Sequence, residues 1–198
     1  MILLLGTRNA GKIRELKELL ADVHGLELLS VSDVPFSEVE EDGETFRDNA
    51  LLKARAISAQ TGLSVLADDA GLEVAALGGQ PGVRSARYSG EPVNYARNNT
   101  FLLERMKGIT DRRARFVIVI ALRLADGREY VRDGALTGRI TEVPVGFGGF
   151  GYDPLFIPDG YSRTLAEMPM EEKNRISHRR QAIEKVKGVL TEIVSQDP

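Results

Sequence analysis

The chain has 198 residues, 26 basic against 29 acidic side chains for a net charge of −3, 42% apolar residues and no cysteine. That balance excludes a disordered chain, which lacks the apolar surface to offset ordering entropy, and the missing cysteines exclude disulfide frameworks and thiolate metal centres. Mild acidity argues against a nucleic-acid partner, so a polyanionic ligand must be met by a local group of cations or by a metal. The longest strongly apolar run, Phe116 to Leu122, falls far short of the ~20 residues a membrane-spanning helix needs, so no membrane partner is expected. Met1-Ile2-Leu3-Leu4-Leu5 carries no basic residues ahead of its apolar run and is not read as a secretion signal. A cytoplasmic protein is the expectation.

In chain order, residues 1–6 read as a buried strand ending in Gly6, followed by a turn and a helix over 12–21 with Ile13, Leu16, Leu19 and Leu20 as its apolar stripe. A second strand is predicted over 26–31, then a loop over 32–44 carrying Glu38, Glu40, Glu41 and Asp42. A helix over 45–60 turns Phe46, Ala50, Ala54 and Ile57 to one face, and a short strand over 64–67 delivers Asp68 and Asp69 at its end. The alternation of strands and helices favours an α/β fold with a partly parallel sheet. Residues 78–82 are irregular, and a helix resumes over 93–106. Strands over 114–124 and 128–137 flank Asp126-Gly127, a strong hairpin signal. A glycine-rich loop over 146–151 and a last helix over 178–194 complete one domain spanning 1–198, with no repeats and no linker.

Thr7-x-Asn9-x-Gly11-Lys12 places backbone amides and an ammonium at a helix N-terminus after a strand, a cradle suited to phosphate. The spacing is not that of the Walker loop, and the same residues fit a plain turn capped by Asn or Thr. Successive strand residues point to opposite faces, so Asp68 and Asp69 have different partners. Ligands of open α/β sheets bind at the carboxyl edge, and Mg²⁺ takes carboxylate and phosphate oxygens. The alternative is that one of the two caps a short helix beginning near Leu72. Glu40-Glu41-Asp42 reads as a solvated loop, and Lys53 as a surface lysine. Phe150-Gly151-Tyr152-Asp153 offers aromatic faces for stacking a flat ligand, or else plugs the core. Lys173, Ser177, His178 and Arg179 form a basic group whose His-Arg pair can donate to carbonyl or phosphate oxygens. His24 lies in a turn and has no assigned role.

Taken together, six blocks in order resemble a known family. They are Thr7-Arg8-Asn9-Ala10-Gly11-Lys12; Glu41-Asp42-Gly43-Glu44-Thr45-Phe46 with Asn49-Ala50 and Lys53-Ala54; Ala67-Asp68-Asp69-Ala70-Gly71-Leu72-Glu73-Val74; Pro81-Gly82-Val83-Arg84-Ser85-Ala86-Arg87-Tyr88-Ser89-Gly90; Gly149-Phe150-Gly151-Tyr152-Asp153-Pro154; and Ser177-His178-Arg179. The chain resembles the inosine triphosphate pyrophosphatases, also called dITP/XTP pyrophosphatases, over almost its whole length. It departs from many of them in having Arg8 in place of Gly and Ala70 in place of Ser, which removes a hydroxyl beside the catalytic carboxylate.

The resemblance implies Mg²⁺-dependent hydrolysis of ITP, dITP and XTP to the monophosphate and pyrophosphate. It also implies an elongated mixed sheet flanked by helices, two lobes with the active-site cleft between them, and a homodimer. Carried over residue by residue, Thr7, Arg8, Asn9, Ala10, Gly11, Lys12 and Ala70 bind the substrate, and Asp69 and Lys53 are catalytic. Asp69 with Glu40 or Glu41 holds the metal. Phe150 stacks on the base within Phe150-Gly151-Tyr152-Asp153, while Lys173, His178 and Arg179 face its 6-keto side. Two other classes stand beside this one: a related pyrophosphatase for modified pyrimidine nucleotides, and a non-catalytic nucleotide-binding module.

Overall fold

The N-terminal apolar run forms β1 (Ile2–Leu5), with Leu3, Leu4 and Leu5 fully buried, in a computed structural model that describes residues 1–196. Helix α1 (Ala10–Leu19) begins two residues before its predicted start because Asn9 caps it, accepting from the amides of Gly11 and Lys12. Strand β2 (Glu27–Leu29) runs parallel to β1, with Leu3 opposite Leu28. Residues 30–45 carry neither helix nor strand. Helix α2 (Phe46–Thr61) starts at Thr45, whose hydroxyl accepts from the Asp48 amide, and the four predicted apolar positions Phe46, Ala50, Ala54 and Ile57 are all buried.

Strand β3 (Ser64–Val74) pairs parallel with β1, Leu5 lying opposite Leu66. Here the structure corrects the sequence reading. The strand does not end at Ala67, no helix begins near Leu72, and neither Asp68 nor Asp69 caps one. Asp and Gly are poor strand formers, which hid the continuation through Asp68-Asp69-Ala70-Gly71. Leu72 and Val74, buried at a spacing of two, complete the strand. It is β1 that stops, at Leu5, so the two aspartates do lie beyond the carboxyl end of the parallel pair.

Helix α3 (Tyr95–Arg105) is capped by Asn94. Strands β4 (Arg113–Arg123) and β5 (Glu129–Ile140) flank the predicted Asp126-Gly127 turn, and β6 (Phe156–Pro158) pairs antiparallel with β5. Helices α4 (Met170–Ile176) and α5 (His178–Gln196) close the order. Strand β6 and helix α4 were not predicted, being too short to show a period. The sheet is mixed and six-stranded, ordered β2-β1-β3-β4-β5-β6.

Two compact units divide the chain. The first comprises Met1–Asp69, Ile118–Gly134 and α5 from Arg180. Leu4, Ala50, Ala54, Ile57, Val65, Ala67 and Ala121 form a core cluster in it. The second comprises Ala70–Val117 and Ala135–Arg179, around Leu72, Leu102, Met106, Tyr152, Leu155, Phe156 and Leu165. Among the described residues no helix is long and apolar enough to cross a membrane.

Candidate active site

In the first unit, α1 and α2 each present a lysine to a carboxylate. Lys12 donates to Asp68 at 2.7 Å, and Lys53 pairs with Glu41 at 3.0 Å. Asp69, 8% exposed, accepts from Asn49 Nδ2 at 2.9 Å. The alternation along β3 therefore sends Asp68 to α1 and Asp69 to α2, as period 2 requires. Lys53 is not the surface lysine that its composition suggested, its side chain being only 13% exposed. Glu41 is half-buried and its charge acts on Asp69, whereas Glu40 is exposed on the loop.

Burial pushes the Asp69 carboxyl up to about 6; the Glu41 charge adds to the rise, and Lys53, the Asn49 hydrogen bond and Lys12 oppose it. A carboxylate that titrates near neutrality is suited to accept a proton at physiological pH. The cradle is more compact than the sequence reading implied. The Asn9 side chain takes the Gly11 and Lys12 amides, at 2.9 and 3.1 Å, and the Thr7 hydroxyl takes the Asn9 amide at 3.3 Å. With those amides used and Lys12 paired to Asp68, the turn is the Asn-capped helix start that the same residues also fit, and the helix dipole is what it offers an anion. Arg8 is exposed and reaches Glu38 at 3.8 Å.

The second unit holds the aromatic loop. The Phe150 ring is 48% exposed, with the Lys173 ammonium 4.6 Å from its centroid. Lys173 is buried and paired with Asp153, which also accepts the Phe150 amide at 2.8 Å. Asn99 donates to the Gly151 carbonyl at 3.1 Å. Tyr152 departs from the expected role: it is buried in the core, burial raises its hydroxyl pKa, and that hydroxyl donates to the Ser85 carbonyl at 2.8 Å. Of the two aromatics, Phe150 alone offers a face. Tyr152 and Asp153 hold the loop that carries it. Ala70 is half-buried on β3.

Ser177 and Arg179 are buried, and the His178 ring stacks on Phe116 at 5.3 Å and 12°. No acidic residue occupies the first turn of α5, which instead opens with His178, Arg179 and Arg180. Cations are disfavoured at a helix N-terminus. Of the three, Arg179 is the buried one. Asn49 stands in the second motif block, and its side chain takes a part that the sequence reading does not assign. The available signal was a polar residue four positions before Lys53, on the apolar face of a helix.

Among the described residues no group of three or more His, Asp or Glu side chains converges on one point. Magnesium does not need one, because it keeps several waters and takes one or two carboxylates with substrate phosphates. Asp69 and Glu41, close enough for one charge to shift the other's proton equilibrium, suit that demand.

The model of the Ham1 family matches residues 3–189. The chain is 48% identical over 196 residues to the dITP/XTP pyrophosphatase of Desulforamulus reducens, covering 98% of this chain and 97% of that one. It is 50% identical over 185 residues to the dITP/XTP pyrophosphatase of Thermus thermophilus, covering 92% and 88%. The structure of the Staphylococcus aureus Ham1 protein superposes with a TM-score of 0.90 at 39% identity, covering 98% of this chain and all of that one (100%).

Proposed function

The chain belongs to the Ham1 family, and from that premise we propose that it hydrolyses non-standard purine nucleoside triphosphates to the monophosphate and pyrophosphate. The observation that carries the chemistry is Asp69: a buried carboxyl with its pKa near 6, beside Asn49 and within the fields of Lys53 and Glu41. Relatives that share about half of its residues over nearly their whole length carry the dITP/XTP pyrophosphatase name. Neither the pyrimidine-directed enzyme nor the non-catalytic module is favoured by any of these findings.

Asp69 takes a proton from water, the water oxygen bonds to the α-phosphorus, and the bond from that phosphorus to the bridging oxygen breaks, releasing pyrophosphate. Lys12 and Lys53 neutralise phosphate charge, which a net-acidic chain must do locally. Each carries a carboxylate partner at rest. Asp69 and Glu41 would hold Mg²⁺. Bound there with the triphosphate, the ion supplies charge neutralisation on the phosphate oxygens.

Phe150 stacks on the base, and Lys173 and Asp153 set the height of the loop. Arg179 and His178 donate to the 6-keto oxygen. A 6-amino group would face the arginine donor to donor and leave buried groups unpaired, which disfavours ATP. A homodimer in the cytoplasm completes the reading, and sedimentation at micromolar concentration should return twice the chain mass.

The deciding experiment is pyrophosphate release from ITP, dITP, XTP, ATP and dUTP with and without Mg²⁺. The expected pattern is Mg²⁺-dependent release from the first three. Release from dUTP alone would support the pyrimidine enzyme, and binding without turnover the module.

A further inference from the structure

Asn49 sits in the first turn of α2, 2% exposed, and the other buried residues of that helix, Phe46, Ala50, Ala54 and Ile57, are apolar. A buried amide is tolerated only when its donor and acceptor are both used. Its Oδ1 accepts the Gly43 amide at 2.8 Å, and its Nδ2 donates to Asp69 Oδ2 at 2.9 Å. The chemistry fixes this orientation. A backbone amide can only donate and an ionised carboxylate can only accept, so the reversed amide would set like against like at both ends.

Gly43 supplies a second, independent observation. It is not among the glycines with left-handed backbone, so its conformation does not demand glycine. Space does: a Cβ there would stand 2.7 Å from Asn49 Oδ1 and 2.8 Å from Asp48 Cβ. The acidic loop is thus drawn against the helix by an approach that only glycine permits. Glu41 lies two residues before Gly43, and its partner Lys53 lies one helical turn after Asn49.

We infer that Asn49 is a positioning residue that ties the Glu41 loop to Asp69, so that the two carboxylates are held at one fixed separation. The inference rests on the pyrophosphatase reading for its consequence, not for its geometry. Both ends of the Asn49 amide are spent on the chain itself. Asn49 sets the orientation of Asp69 Oδ2 directly and the place of Glu41 through the Gly43 backbone.

Two variants test this. Asn49→Ala removes both hydrogen bonds, whereas Gly43→Ala leaves Asn49 and Asp69 in the chain and pushes the loop away. In both, kcat for ITP should fall about 10–100-fold with KM near the wild-type value, and Mn²⁺ titrated by calorimetry without nucleotide should bind about tenfold more weakly. A packing role alone would lower the melting temperature and leave kcat per folded molecule and Mn²⁺ affinity unchanged. That outcome overturns the inference. Should Asn49→Ala fail to fold, Gly43→Ala decides on the same readouts. A wild-type protein that releases no pyrophosphate while both variants weaken Mn²⁺ binding would sink the enzymatic reading and uphold the tie. An active wild type matched by both variants would sink the tie alone.

Discussion

Replacing Asp69 by Asn keeps the shape of the side chain and removes both its charge and its basicity. Loss of a general base should lower kcat about 10²–10⁴-fold, with ITP binding retained. The same substitution should stabilise the metal-free fold at high pH. The Asp69 carboxyl is raised from 3.8 to about 6, so the folded state holds the proton more tightly than the unfolded state does. Stability from this group is full below pH 3.8, is lost as pH rises through about 6, and leaves a penalty of about 3 kcal/mol beyond it. Asn does not ionise, so the melting temperature of Asp69→Asn in chelator should exceed that of the wild type at pH 8 by more than at pH 4.5. An equal gap at both pH values would refute the buried ionisation. Lys12 makes a different prediction. Its ammonium is about one-fifth exposed (20%) and its partner Asp68 is buried, so Lys12→Ala should cost about 2 kcal/mol, below the 3–5 of a fully buried pair. Removing both partners should restore part of that stability without restoring KM for ITP. A double variant with wild-type KM would take Lys12 off the phosphates.

Each of these residues is placed by its own element. Helix α2 carries Asn49 and Lys53 one turn apart, β3 carries Asp68 and Asp69 on opposite faces, and α5 opens on His178 and Arg179. The loop bearing Phe150 is held by hydrogen bonds from Asn99, Tyr152 and the Phe150 amide, and by the Lys173 pair. Gly149 is the tightest point of that loop. Its φ is +72°, and a Cβ there would lie 2.1 Å from Asp153 Oδ2. Gly149→Ala should displace Asp153 and the ammonium it holds, raising KM for ITP while kcat changes less. Gly160→Ala is the control, with φ at +81° and open space around the Cβ. It carries the same left-handed strain, about 1–2 kcal/mol, with no side chain for the new Cβ to displace. Equal KM effects in the two variants would show that backbone strain, not the Asp153 displacement, is responsible.

For the molecule as a whole, the proposed reaction requires two things: charge neutralisation on the triphosphate and hydrogen-bond donors for the base. ITP and XTP should be hydrolysed at least ~100-fold more efficiently than ATP, since each unpaired buried polar group costs about 1–3 kcal/mol and two are involved. Arg179→Ala should lower that ratio as well as the rate. Loss of rate at unchanged ratio, measured as kcat/KM for the two substrates, would move Arg179 to the phosphates. Because the net charge is −3 and the phosphate site is local, KM should also rise with ionic strength.

The sequence by itself determined the α/β class, most of the helices and the hairpin, because hydrophobic period and turn chemistry are local properties. The buried faces of α1 and α2 and the Asp126-Gly127 turn were legible for that reason. So were the motif blocks and with them the family, since nearly the whole chain carries the resemblance. Other features only the tertiary structure decided. Strand β3 runs through Asp68-Asp69-Ala70-Gly71 against its local propensity, because pairing and burial on either side outweigh it. Which of Glu40 and Glu41 comes to Lys53 depends on a loop without periodicity, drawn in by Gly43 and Asn49. That Tyr152 plugs the core while Phe150 faces outward depends on which carbonyl its hydroxyl reaches. The pKa of Asp69 depends on its burial and on four neighbours distant in sequence, Lys53, Asn49, Glu41 and Lys12. Residue type and spacing name the chemistry available to a chain. Long-range packing sets the dielectric and the distances at which that chemistry operates.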